Sequence, residues 1–375
     1  MGNVRFVGLD VHAATITVAV AETGGEVRSL GTIPNRPDAV RRMVHKLGPV
    51  SALRVCYEAG PTGYVLYWQL VGLDVHCDVV APSLVPIKAG DRVKTDRRDA
   101  EKLARCYRAG DLTPVWVPDA AHEALRDLVR VREAAKKDQL RARHRLGKFL
   151  LRQGRHRPTH LKMAWTAGHM DWIRALHFDS PLHQIVLADY LHEVERAAAR
   201  IADLNTAILE AIRSAPPQMR AVIQALQALR GVAAVSSATI VAEVGQLSRF
   251  SNPRQLMGYS GLVPSEYTTG PRRRLGAITK TGNAHLRRVV IEAAWAYRFT
   301  PAVRAPLRAR QTGLDPQITE IAWRAQKRLH ERHRTLTAKG KNAGLIVTAI
   351  GRELLGFIWD IGRTVEAKMP IVPTV

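Results

Sequence analysis

Four carboxylates stand out in a chain otherwise rich in cations: Asp10 in GLDVH, Glu58 in RVCYEAGPTGY, and Asp96 and Asp99 in KTDRRDAEKLA. Asp10 and Glu58 fall at the ends of strand-like segments, and Gly60 and Pro61 can stop the second strand and start a helix. Asp96 and Asp99 stand three apart on a helical pattern, so their side chains project from one face as neighbours. Such a set suits hard divalent ions: two Mg²⁺ (or Mn²⁺) ions about 3.5–4 Å apart stabilise the attacking and leaving oxygens of an in-line phosphoryl displacement. Mg²⁺ keeps several waters and takes only a few carboxylates plus substrate phosphate, so four acids suffice without His or Cys. Each acid alone has a plainer reading. Asp96 suits a helix N-terminus, Asp99 an ion pair with Arg97, Arg98 or Lys102, and Asp10 a turn. Together, at strand and helix starts of one α/β unit in a basic chain, they point to a metal site.

The elements that must position them are legible in the pattern. Residues 4–22 read as two β-branched strands joined by a polar turn, followed by a strand near 27–33, a helix near 37–47 and strands at 53–58 and 74–80. Interleaved strands and helices to about residue 110 make an α/β domain. From Asp119 to about Arg230 strand signals vanish, and two long helical patterns flank a breaker region at Gly154, Pro158 and Gly168. In the second, Leu187, Leu191, Val194, Ala198, Ile201, Asn205, Ile208 and Ile212 alternate in steps of four and three, the seam of a coiled coil. That seam serves a partner chain or the helix's own domain equally well. Pro216 and Pro217 end it, short Gly-punctuated helices follow to residue 300, and a basic helical stretch from Arg304 to Lys341 leads to an apolar helix at 344–361 and a Pro-containing tail. The expected divisions are 1–115, 116–228, 229–300 and 301–375.

The chain has 375 residues, enough for two or three domains, and 56 Lys+Arg against 33 Asp+Glu give a formal charge of +23. A field of that sign attracts polyanions, and arginines concentrated in particular segments make nucleic acid the expected partner. Cys56, Cys77 and Cys106 form no CxxC pair and no Cys/His ligand spacing, which suggests neither a zinc site nor a disulfide framework and fits a reducing cytoplasm, at the nucleoid. No leader pattern opens the chain and no uninterrupted apolar span is long enough for a bilayer, so no membrane partner is expected.

GLDVH, YEAGPTGY and KTDRRDAEKLA resemble the Asp-Glu-Asp-Asp motifs of the RuvC-like, RNase H-type domain in DEDD transposases of bridge-RNA-guided insertion sequences. The resemblance resumes in LRGVAAVSSATIVAEVGQLSRF and GYSGLVPSEYTTGPRRRLGAITKTGNAHLRR, and so covers most of the chain. It implies a RuvC-like α/β domain, a long helical or coiled-coil segment and a mainly α-helical C-terminal domain. It also implies a DNA partner, a noncoding guide RNA and a homo-oligomer, dimer or tetramer. The first of the two later stretches looks like a helix-hairpin-helix, whose backbone N–H groups can hold a phosphate. Its turn, Gly231-Val232-Ala233, lacks the usual second glycine, so a plain helical turn stays open.

In that family a serine in a YxSG-like stretch attaches covalently to DNA. Here the stretch reads Tyr267-Thr268-Thr269-Gly270, with Thr269 in the serine's place and Thr268 and Ser265 as alternatives. A threonine hydroxyl serves as a nucleophile once activated, with fewer rotamers; these hydroxyls equally suit turn hydrogen bonds. Arg272, Arg273, Arg274, Lys280, Arg287 and Arg288 follow, and Gly270, Pro271, Gly276 and Gly282 would let backbone approach a nucleic-acid strand. The resulting expectation is excision and insertion of a mobile element by metal-dependent strand cleavage and exchange, without ATP, since no GxxxxGK[ST] loop is present. A DNA invertase of the same family and a junction-resolving nuclease share the motifs; an architectural DNA-binding protein would have no use for the acidic quartet.

Overall fold

The opening meander follows from alternating β-branched residues and short polar turns. Strand β1 (Arg5–Val11) pairs antiparallel with β2 (Thr15–Glu22), which pairs with β3 (Val27–Pro34). Helix α1 (Pro37–Leu47) starts on a proline and buries Val40, Met43, Val44 and Leu47. Strand β4 (Leu53–Glu58) then lies parallel to β1, helix α2 (Val65–Val71) follows, and β5 (His76–Val80) lies parallel to β4. The result is a five-stranded mixed sheet in the order β3-β2-β1-β4-β5, the RNase H-like arrangement expected. This is a computed structural model, describing residues 4–87, 94–270 and 272–369; Pro271 and the tail from Pro370 lie outside the described residues.

Helix α3 (Asp96–Ala109) covers the sheet face opposite α1 and α2. Thr95 caps it, its hydroxyl accepting from the Arg98 N–H, so the helix begins at Asp96. Gly8 makes the close approach possible: a Cβ there would lie 2.4 Å from both the Ala100 carbonyl oxygen and the Ala104 nitrogen. Ala100 and Ala104 are themselves buried and small, so α3 rests directly on β1.

Two compact units divide the chain, Met1–Val117 and Pro118–Val375. The second begins with α4 (Ala120–Arg152), a single helix of 33 residues, then α5 (Ala167–Arg174) and α6 (Pro181–Ser214). The heptad-spaced Leu187, Val194, Ile201 and Ile208 of α6 are buried, and α6 packs along α4 of the same chain; Ala198 is exposed. Asn205 in that seam accepts a hydrogen bond from Arg132 Nε at 2.6 Å. Helices α7 (Pro217–Leu226), α8 (Ala234–Val244), α9 (Pro253–Ser260) and α10 (Ala284–Ala294) share one apolar core with α12 (Pro316–Ala338) and α13 (Ala343–Lys368); α11 (Ala305–Gln311) precedes them. Between α9 and α10 a small hairpin, β6 (Pro264–Glu266) and β7 (Leu275–Ile278), carries the hydroxyl cluster.

Candidate active site

Side chains alternate across a strand, and this alone sorts the sheet residues. Val7, Leu9, Val55 and Tyr57 pack into the core on one face, so Gly8, Asp10, Cys56 and Glu58 belong to the face under α3. Leu9 pairs with Tyr57 in the parallel ladder, which sets Asp10 and Glu58, the next residues, side by side where the two strands end. Because α3 crosses Gly8 with Ala100 and Ala104, its preceding turn brings Asp96 and Asp99 towards Asp10. The four predicted acids therefore lie towards one end of the sheet, near enough that Asp10 feels the charges of Asp96 and Asp99 and Glu58 those of Asp99 and Asp10, but Glu58 and Asp99 do not join the tight group of ligand atoms around Asp10.

The geometry adds a residue that the sequence reading passed over. His12 Nε2 lies 3.2 Å from Asp10 Oδ2 and 3.6 Å from Asp96 Oδ1. One ligand atom from each of Asp10, His12 and Asp96 lies within 4.8 Å of the others. The available signal was the period of two: a residue two beyond Asp10 shares its side of the chain if the strand runs on, and β1 does run to Val11.

Electrostatics at the cluster are those of crowded like charges. Partial burial raises the Asp10 carboxyl above its ordinary value; His12 opposes this, and Asp96 and Asp99 push it further up. Glu58 is raised by burial and by Asp99, with Lys94 opposing. Lys94 Nζ stands 3.9 Å from Asp99 Oδ2. Hard oxygen donors and an imidazole, with two carboxyls displaced upward chiefly by burial and further by neighbouring carboxylates, fit a divalent cation, whose charge would oppose that displacement.

The hydroxyls occupy a different setting. Thr269 is exposed at the hairpin tip, where its backbone exchanges hydrogen bonds with Arg272 at 3.3 and 3.4 Å and Gly270 turns the chain with φ +58°. Thr268 donates to Glu266 Oε1 at 2.7 Å, and Ser265 packs against Gly276, where a Cβ would come within 2.3 Å of its Oγ. Arg273 pairs with Glu266 at 3.0 Å, while Arg272, Arg274 and Lys280 are exposed on the same hairpin and the turn after it. Arg287 instead turns inward and donates to the Ser260 carbonyl at 2.7 Å, and Arg288 pairs with Glu133 and Glu292. The six predicted cations thus divide into four at the hairpin and two on α10.

Behind the hairpin, Glu243 of α8 is wholly buried and accepts from Arg130 Nε and Nη2, at 2.8 and 2.9 Å, and from Asn283 Nδ2 at 2.7 Å. Asn283 caps α10, the helix that follows the hairpin. A short turn joins α7 to α8. Gly231 there has φ +83°, and a Cβ would meet the Ala293 carbonyl oxygen at 2.4 Å, so the glycine serves close packing on α10.

An RNase H-like sheet with carboxylates gathered towards one end suits metal-dependent phosphoryl transfer on nucleic acid, and comparison with known proteins narrows this class to transposases. Two family descriptions match: a DEDD-type transposase over residues 7–153, and the transposase IS116/IS110/IS902 family over residues 223–308. The chain is 44% identical to a Sinorhizobium fredii protein named as a transposase, y4qE, over 96% of this chain and 88% of that one. It is 31% identical to the transposase for insertion sequence element IS1533 of Leptospira borgpetersenii, over 90% of this chain and 97% of the relative. A third relative, the transposase for insertion sequence element IS1111A of Coxiella burnetii, is 24% identical over 79% of this chain and 78% of its own. The chain belongs to the IS110/IS116/IS902 family of transposases and catalyses transposition.

Proposed function

We propose that transposition here divides between two chemical groups. Asp10, Glu58, Asp96 and Asp99 hold Mg²⁺, or Mn²⁺ in its place, at the scissile phosphate, and the Thr269 hydroxyl becomes covalently linked to DNA. The observation that supports the metal half is the close group of Asp10, His12 and Asp96, with Glu58 and Asp99 near enough to act on it electrostatically and with Asp10 and Glu58 raised above ordinary values by burial and by neighbouring carboxylates. The cations supply charge that polarises the phosphate and stabilises the departing oxygen. The chain's acids fix where that charge sits, and His12, 3.2 Å from Asp10, orients its carboxylate.

In the covalent step, Thr269 Oγ1 forms a bond to phosphorus as one strand P–O bond breaks. The hydroxyl proton leaves to solvent and the released strand oxygen takes one up, so the phosphodiester is conserved and no nucleotide hydrolysis is needed. Exposure of Thr269 at a hairpin tip among Arg272, Arg273 and Arg274 supports access to a phosphate. Following the family resemblance, a noncoding RNA selects donor and target, and the protein acts as a dimer or tetramer. Exposed Leu182 and Ile185 on α6, at 72% and 65%, support self-association through a surface other than the filled seam.

The covalent step is tested with a suicide DNA substrate that traps the adduct. Thr269→Ala removes the adduct and Thr269→Ser keeps or increases it, because the hydroxyl stays and the methyl goes. An adduct mapped by mass spectrometry to Ser265 or Thr268 moves the nucleophile within the hairpin. Cleavage that survives all three substitutions overturns the covalent step and leaves metal-activated water. Sequencing of RNA that co-purifies with the protein tests the guide.

A further inference from the structure

The long helix α4 carries more than its packing against α6 requires. Arg132, Lys136, Leu140 and Arg143 recur at steps of four, four and three, which sets them along one side of the helix. With Ser236 and Thr239 of α8 and Arg288 of α10 they line a groove of about 460 Å³ within the second unit. Two carboxylates share the groove, and both are engaged. Glu133 accepts from Lys137 at 3.0 Å, His285 at 2.6 Å and Arg288 at 3.0 Å, and Glu292 pairs with Arg288 at 2.9 Å.

The other three cations form no such close pair, although Glu292 acts on Arg132 from farther away. Among the described residues Arg132, Lys136 and Arg143 form no ion pair; Arg132 donates to Asn205, and Arg143 lies over the Trp165 ring at 5.4 Å. Nε of Arg143 and Nε of Arg288 are buried without a hydrogen-bond partner among the described residues. Burial works against the charged forms of Arg132 and Arg143; at Arg132 the Arg288 charge adds to this and Glu292 opposes it. Donors and charge left over in a concave site call for anionic acceptors.

We infer that this groove binds the DNA backbone, holding consecutive phosphates of one strand along α4. Eleven residues of helix separate Arg132 from Arg143, about 16 Å at ~1.5 Å per residue. A duplex strand carries a phosphate every ~3.4 Å of axis, so the stripe runs beside about five of them. A single small anion would not use its length. Leu140, 54% exposed between Lys136 and Arg143, is suited to contact with sugar carbons. The groove is built from α4, α8 and α10, so it is an anchoring surface distinct from the hairpin that carries Thr269.

Full-length protein with Lys136→Gln and Arg143→Gln is compared with wild type by fluorescence anisotropy. The probes are two 30-base-pair duplexes of unrelated sequence and a single-stranded RNA of equal length, titrated from about 50 to 300 mM NaCl. A charge-matched control, Arg41→Gln with Lys46→Gln on exposed positions of α1, removes the same charge elsewhere. The double substitution weakens both duplexes alike, by about tenfold, and lowers the slope of log K against log salt by about two, one per lost phosphate contact. Lys136→Gln alone, at an exposed helix position that glutamine tolerates, gives about half the slope change with an unchanged melting curve. Slopes and affinities equal to the control overturn the inference. So does a loss confined to one duplex sequence, which would mean base readout, or a loss confined to the RNA.

Discussion

Gly8 shows how much of the acidic site depends on an atom that is missing. The position has no need of unusual backbone angles; what it needs is space, because α3 lies on β1 with Ala100 and Ala104 in contact. A methyl group at 2.4 Å from two backbone atoms cannot be accommodated by side-chain movement, so Gly8→Ala pushes the helix away from the strand. Overpacking of this kind costs about 1–3 kcal/mol. The larger consequence is chemical, since Asp96 and Asp99 travel with α3 while Asp10 and Glu58 stay with the sheet. Gly8→Ala is therefore expected to keep a cooperative melt at a lowered midpoint and to lose divalent-cation affinity in calorimetry. Unchanged cation binding would show that the four acids do not act as one site.

At the scale of elements, the buried carboxylate of Glu243 joins α4, α8 and the start of α10. Arg130 is 43% exposed on its side chain and Glu243 is fully buried, so the two halves of the pair are unequal. Removing the arginine strands a charge in the core; removing the glutamate lets the arginine turn to water. Arg130→Met is expected to cost about 3–5 kcal/mol in denaturant unfolding, and Glu243→Gln distinctly less. The reverse order would mean that the pair is not what joins these helices. None of this was legible beforehand: Arg130 and Glu243 are 113 residues apart, and an isolated glutamate in an apolar helix carries no sign of its partner. Elements governed by local rules were legible. Helix α1 spans 37–47 as expected, and β4 ends at Glu58 before Gly60-Pro61. Asp10, Glu58, Asp96 and Asp99 could be singled out because each falls at the edge of a legible strand or helix. His12 was not, because its role depends on a strand continuing to Val11 and on the neighbouring helix start. Arg287 looked like its neighbours, and only the fold turns it to the Ser260 carbonyl.

For the whole molecule, the excess of cations, +23 overall, is unevenly spent. Part is used internally, as with Arg130 and Arg287, and part lies exposed on the hairpin and along α4, where a polyanion can meet it. The heptad seam on α6 illustrates why sequence leaves assembly open: the same periodicity serves a partner chain or a neighbouring helix, and here α4 fills it. Among the described residues no helix is long and apolar enough to cross a membrane. Family membership assigns transposition to the chain, and the acid quartet is proposed to perform its strand chemistry with divalent cations. The most direct measurement is Mg²⁺-dependent cleavage of a labelled element-end duplex by Asp10→Asn, Glu58→Gln, Asp96→Asn and Asp99→Asn. These near-isosteric changes remove charge and leave shape, with folding checked by circular dichroism. Each variant is expected to be folded and to lose cleavage by about a hundredfold or more at saturating Mg²⁺. A folded variant at any of the four positions that cleaves at the wild-type rate would show that its carboxylate is not part of a catalytic metal site.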